Sequence, residues 1–233
     1  MKDAPDAILA ADPAAYLEGI EPLRDTLLAE MEQYARDKRQ PISDPEVASF
    51  LAVTARACGA KRIVEVGTNI GYGAIVLARA AGAPASGARV ITIENDPAMV
   101  KIARAYIERA GLSAHIDVRQ GDAIAELTAV CAQQETDLVY IDCVKEDYVR
   151  YLEIALPRLS ARGVVVADNV LWNRTQRAGI GGRLREVPER DADRVGARPR
   201  HIALGRESEI LNDVTQVSRR ALLHFPRLPE LLL

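Results

Sequence analysis

The chain has 233 residues, 48% of them hydrophobic, with 30 Lys+Arg against 33 Asp+Glu and a net charge of −3. That length suits one α/β domain with a short extension, and the near-neutral balance excludes a global basic field of the kind that holds nucleic acid or an anionic membrane surface. Cys58, Cys131 and Cys143 are scattered without C-x-x-C spacing, no run of 18 apolar residues occurs, and residues 1–6 carry no apolar leader segment. A reduced, soluble, cytoplasmic protein is expected.

In chain order, Asp12-Pro13 reads as a helix start, and helix is expected to about Asp37. Leu23, Leu27, Leu28, Met31 and Tyr34 form one apolar stripe on it, for the sheet or for a second copy of the chain. Ser43 and Glu46 have capping-box spacing around Pro45, so Ser43 reads as the cap of a helix that ends at Gly59. Ile42 lies on the extended segment before it, placed to close over a ligand.

The central stretch is Ile63-Val64-Glu65-Val66-Gly67 followed by Thr68-Asn69-Ile70-Gly71-Tyr72-Gly73 and the helical run Ala74–Ala80: a strand, a glycine-rich turn and a helix. Glycines there allow positive φ and close ligand approach, and helix-opening N–H groups offer donors. A dinucleotide fingerprint would read G-x-G-x-x-G, whereas these glycines fall as G-x-x-x-G-x-G with Glu65 two residues ahead. A carboxylate at that place repels a pyrophosphate and suits a cationic or neutral ligand such as the amino-acid end of a sulfonium cofactor. Val90-Ile91-Thr92-Ile93 then ends at Glu94, where a carboxylate can accept both hydroxyls of a ribose. The pattern points to an adenosine ligand without phosphates.

Strand and helix alternate onward: strand to Glu94, helix Pro97–Ala110 stopped by Gly111, strand Ile116–Arg119, a helix opened by Gly121-Asp122-Ala123, strand Leu138–Ile141, a helix carrying Tyr148, Tyr151 and Leu152, and strand Val164–Ala167. Five βα units imply a doubly wound, mostly parallel Rossmann-like sheet, whose ligands bind at the carboxyl ends of its strands. Asp142, Asp168 and Asn169 fall at that edge. As hard oxygen donors that leave coordination positions open, they suit Mg²⁺ with waters and a substrate. Lys145, three residues past Asp142, is a candidate general base on a hydroxyl that a metal has acidified. From Asn173 the texture changes: nine arginines fall between Arg174 and Arg206 in what reads as loop, and a helix resumes near Glu207. The expected organisation is an N-terminal helical extension over 1–60, the core over 61–172 and a divergent tail over 173–233.

These motifs, with Ile93-Glu94-Asn95-Asp96-Pro97, Asp142-Cys143-Val144-Lys145-Glu146-Asp147-Tyr148 and Asp168-Asn169-Val170-Leu171-Trp172, resemble the class I S-adenosylmethionine-dependent O-methyltransferases of the catechol and caffeoyl-CoA branch. The resemblance covers roughly residues 20–172. It implies that Ile42, Glu65, Gly67, Gly71, Tyr72, Gly73, Glu94, Ala123 and Asp142 contact the cofactor, that Asp142, Asp168 and Asn169 hold Mg²⁺, and that Lys145, assisted by Asp142 and Asn169, is the base. The implied acceptor is a small hydroxylated aromatic with two neighbouring oxygens, and the implied assembly is a homodimer. Tyr34-Ala35 with Pro41-Ile42 also resembles bacterial members that methylate a tRNA hydroxyuridine, and the arginine-rich stretch fits that alternative. A non-catalytic cofactor-binding scaffold is the alternative of another class. Gly73 stands where relatives often carry serine, and the family's closing hairpin with its Gly-Asp-Gly turn is missing from the tail.

Overall fold

The computed structural model describes residues 25–168 and the strand at 201–204. Its helices are α1 (Thr26–Lys38), α2 (Pro45–Cys58), α3 (Tyr72–Ala80), α4 (Ala83–Ser86), α5 (Pro97–Arg109), α6 (Ala123–Gln133) and α7 (Tyr148–Ala155). Its strands are β1 (Arg62–Val66), β2 (Arg89–Glu94), β3 (Ile116–Gln120), β4 (Thr136–Ile141), β5 (Leu159–Ala167) and β6 (His201–Leu204). They form one parallel sheet of order β3-β2-β1-β4-β5-β6. The strand order reverses between β1 and β4, which is where the loops after two neighbouring strands diverge and leave a crevice for a ligand.

Both faces of the sheet are buried, so its strands are nearly continuous apolar runs. Ile63, Val90, Leu138 and Val166 face one core with α1, α2, α3 and α5, whereas Val64, Ile91, Val139 and Val165 face the other with α6 and α7. The period-2 alternation puts Thr92, Glu65 and Tyr140 in one row on the first face, because Glu65 pairs in register with both Thr92 and Tyr140.

Helix starts follow the expected chemistry at Asp96 and Asp122, whose carboxylates accept from Ala98 N and Ala125 N at 2.7 and 2.9 Å. Two expectations are corrected. Ser43 does not cap α2: Asp44 is at the N-cap position, and the Ser43 side chain is buried against Tyr140. The 174–206 stretch is not all loop, since His201–Leu204 pairs in parallel with Val164–Ala167. The Leu27 to Tyr34 part of the α1 stripe packs on the sheet's own core, with Met31 fully buried. The α1 helix is capped at Asp25, which accepts from Leu28 N at 2.9 Å. The Asp12-Pro13 start, Leu23, Asn169, the remaining arginine-rich residues and the helix near Glu207 lie outside the described residues.

Candidate active site

The loop after β1 is fixed by two close approaches. Gly67 has φ +102°, and a Cβ there would lie 2.0 Å from the carbonyl oxygen of Asp142, so the end of β4 passes directly over it. A Cβ on Gly73 would lie 2.1 Å from Oε1 of Glu65. Glycine at 73 therefore gives the Glu65 carboxyl its room under the opening of α3.

Glu65 is 1% exposed. Thr92 Oγ1 donates to its Oε2 at 2.6 Å, and Thr68 Oγ1 lies 2.5 Å from Thr92 Oγ1. Burial pushes the Glu65 carboxyl up to about 8; the Thr92 hydrogen bond opposes this, while the charges of Asp142 and Glu94 add to it. In the ligand-free protein this acid is largely protonated at neutral pH. A cation arriving at the loop would reverse that balance by favouring the carboxylate.

Glu94, half-buried at the end of β2, accepts backbone N–H groups from Asn69 at 2.8 Å and from Asn95 and Asp96 at 3.0 Å each. These bonds aim the carboxylate across the glycine loop. Oε1 takes the Asn95 and Asp96 bonds and Oε2 the Asn69 bond, which leaves Oε2 a second lone pair for a ligand hydroxyl. Asn69 Nδ2 donates to Pro41 O at 3.1 Å, tying the segment of Ile42 to the same loop. Ile42 itself packs partly buried against the core. Ala123, half-buried, opens α6 just past the end of β3. The Tyr72 side chain is 2% exposed, and its hydroxyl donates to Glu32 at 2.7 Å.

On the other side of the crevice, Asp142 follows β4 and the buried Asp168 follows β5, where Ile141 and Ala167 are register partners and Asp168 N donates to Ile141 O at 3.0 Å. The two carboxylates thus leave neighbouring strands at the same edge. Lys145 Nζ donates to Asp142 Oδ1 at 3.2 Å and to Tyr148 OH at 2.8 Å, and Tyr148 OH donates to Asp168 O at 2.9 Å. The ammonium also lies 5.1 Å from the Tyr148 ring centroid. Burial, reinforced by the Asp142 charge, raises the Tyr148 phenol, which stays neutral and serves as a fixed donor and acceptor. Burial likewise pushes the Cys143 thiol up to about 11, so it is no nucleophile at neutral pH.

Two oxygen-only carboxylates beside a cation fit a hard divalent ion better than a soft one. No group of three or more His, Cys, Asp or Glu placed to hold a metal ion occurs among the described residues, and the third expected ligand, Asn169, lies outside them. Thr92, Tyr140 and Tyr148 also bond to the candidate site residues, and no motif in the sequence marks them for that role. A tyrosine two positions before Asp142 in an otherwise aliphatic strand was the available signal for Tyr140.

A glycine loop and a carboxylate edge meeting at the reversal point of a doubly wound sheet define an α/β protein that binds a small ligand in its strand-end crevice. The model of one family, described as O-methyltransferase, matches residues 22–179, and the chain belongs to that family. It is 40% identical over 151 residues to a catechol O-methyltransferase of Niastella koreensis, an alignment covering 63% of this chain and 66% of the relative. It is 40% identical over 150 residues to a catechol O-methyltransferase of Mycobacterium tuberculosis, covering 64% and 62%. The match spans somewhat under two thirds of each of these relatives. Among solved structures, an O-methyltransferase from Bacillus cereus in complex with SAH is similar, with a TM-score of 0.66, 29% identity and coverage of 76% of this chain and 84% of that one. No helix among the described residues is long and apolar enough to cross a membrane.

Proposed function

We propose that the protein transfers a methyl group from S-adenosylmethionine to one hydroxyl of a small aromatic vicinal diol, with Mg²⁺ held at the ends of β4 and β5. The observation that carries this reading is Asp142 and Asp168 on adjacent strand ends, with Lys145 bound to Asp142, facing a glycine loop suited to a nucleoside. The similarity to catechol O-methyltransferases and to a structure with bound SAH supports it.

In this reading Glu94 takes the ribose hydroxyls, Ala123 lies beside the adenine, and Ile42 lines the cofactor from the N-terminal segment. Glu65, with Gly67, Gly71 and Gly73, receives the amino-acid end; its carboxyl ionises when a cation comes near. Asp142, Asp168 and Asn169 would hold the divalent ion. When bound, the cofactor supplies an electrophilic sulfonium methyl, and the ion supplies positive charge that acidifies a chelated hydroxyl. Lys145 as the free amine would take the hydroxyl proton on Nζ, becoming the ammonium that Asp142 and Tyr148 hold in place. The remaining contribution is alignment of oxygen and methyl within a preorganised crevice.

The test is methyl transfer from labelled S-adenosylmethionine to vicinal diols, to the matching monophenols and to undermethylated tRNA. Labelling of diols alone supports the reading. Labelling of tRNA or of monophenols at the diol rate contradicts it. We also propose, from the resemblance, a cytoplasmic homodimer, which light scattering during size exclusion tests by mass.

A further inference from the structure

Asp142 is gripped on both oxygens. Lys145 holds Oδ1, while the other oxygen, Oδ2, accepts from Tyr140 OH at 3.3 Å. Tyr140 is 1% exposed, its ring packed in the first core with an edge 3.7 Å from where a Cβ on Gly73 would stand. A phenol has one proton. With that proton on Asp142, the second contact of Tyr140, to Ser43 Oγ at 2.9 Å, is one in which Ser43 donates. Ser43 is itself buried, one residue after Ile42 and two before the first turn of α2.

The result is a polar chain, Ser43 to Tyr140 to Asp142 to Lys145, that crosses from the N-terminal segment to the far wall of the crevice. Helix capping does not account for it, because Ser43 caps nothing. Packing of the aromatic ring does not account for it either, because phenylalanine would fill that space equally. A hydroxyl placed inside a core is costly to bury unless it is bonded, and here its two bonds join the N-terminal segment to Asp142.

We propose that the Tyr140 hydroxyl, set by Ser43, is a positioning group for Asp142: it holds the carboxylate at the end of β4 in the orientation that receives the divalent ion. This rests on the reading of Asp142 and Asp168 as metal ligands. Groups that orient a ligand from behind are worth roughly 10- to 100-fold in metal affinity. Long, partly buried bonds such as this one belong at the lower end.

The probe is Mn²⁺, titrated into the SAH-saturated full chain and followed by the loss of the free-ion EPR signal, for the wild type, Tyr140→Phe, Ser43→Ala, the double variant and Asp168→Ala. Tyr140→Phe is expected to weaken Mn²⁺ about tenfold while leaving the circular dichroism spectrum unchanged. Ser43→Ala is expected to weaken it less, and the double variant no more than Tyr140→Phe alone, because the serine acts only through the phenol. A lower melting temperature with Mn²⁺ affinity within twofold of wild type would mean a purely structural hydroxyl and overturn the inference. Unchanged binding in Asp168→Ala as well would overturn the metal reading itself, and the inference with it.

Discussion

Raising the pH from 6 to 8 is expected to destabilise the ligand-free protein through one buried group, Glu65. Its folded-state value is about 8 against a usual 4.5, so between those values the folded chain holds a proton that the unfolded chain has released. Stability linked to a raised value is present below the unfolded value and is lost as pH rises through the folded one. From pH 6 to 8 the loss is about 2 kcal/mol, equivalent to a fall of roughly 4–8 °C in melting temperature for a chain of this size. The perturbation that isolates it is Glu65→Gln, which keeps an oxygen for the Thr92 hydroxyl and removes the titration. Thermal unfolding of both proteins is followed at pH 6, 7 and 8 in buffers of matched ionic strength, and the difference between the two pH slopes is the Glu65 contribution. Parallel slopes would refute the reasoning, because they would mean that Glu65 ionises at its ordinary value despite its burial. The same proton balance predicts that SAH binding at pH 7 releases protons, so calorimetric enthalpies should vary with the buffer's ionisation enthalpy in the wild type and not in the Gln variant.

Further outcomes follow from the same geometry. Lys145→Met is expected to lower kcat by about 10²- to 10⁴-fold with SAH affinity within a few-fold of wild type, since it removes the base and leaves the cofactor crevice intact; steady-state kinetics with calorimetry separates the two. Gly67→Ala puts a Cβ 2.0 Å from the Asp142 carbonyl oxygen at φ +102°, so SAH binding should be lost along with about 2–4 kcal/mol of stability in urea unfolding. Met31→Ala, in a fully buried α1 position remote from the crevice, should cost about 2–5 kcal/mol with little change in KM.

Much of the architecture was legible because it rests on local signals. Apolar runs ending in Gly67, Glu94, Asp142 and Asp168 marked the strands and the edge they share, and Asp96, Asp122 and Gly111 bounded their helices where caps and breakers belong. What stayed hidden depends on partners distant in the chain. Ser43 and Asp44 are both good caps by residue type, and the choice falls to Tyr140, 97 positions on, which engages the serine. Glu65 reads in sequence as a charge facing a ligand; only the register of β2 against β1 shows that it lies beneath α3 against Thr92. The bond from the Tyr72 hydroxyl to Glu32, 40 residues earlier on α1, likewise depends on how α1 packs against the first turn of α3. The four residues His201–Leu204 are too short, and too closely flanked by arginines, for an alternation to stand out before β5 is there to pair with them.

In the proposed function, the edge formed by Asp142 and Asp168 works through a divalent ion on a diol. Its most direct test is the rate of methyl transfer to catechol, measured with Mg²⁺ and with EDTA, for the wild type and Asp168→Ala at saturating cofactor. Labelling that EDTA abolishes is expected, with a variant at least about 10²-fold slower and no further loss when EDTA is added. Equal rates with Mg²⁺ and with EDTA, or an Asp168→Ala variant as active as the wild type, would contradict it.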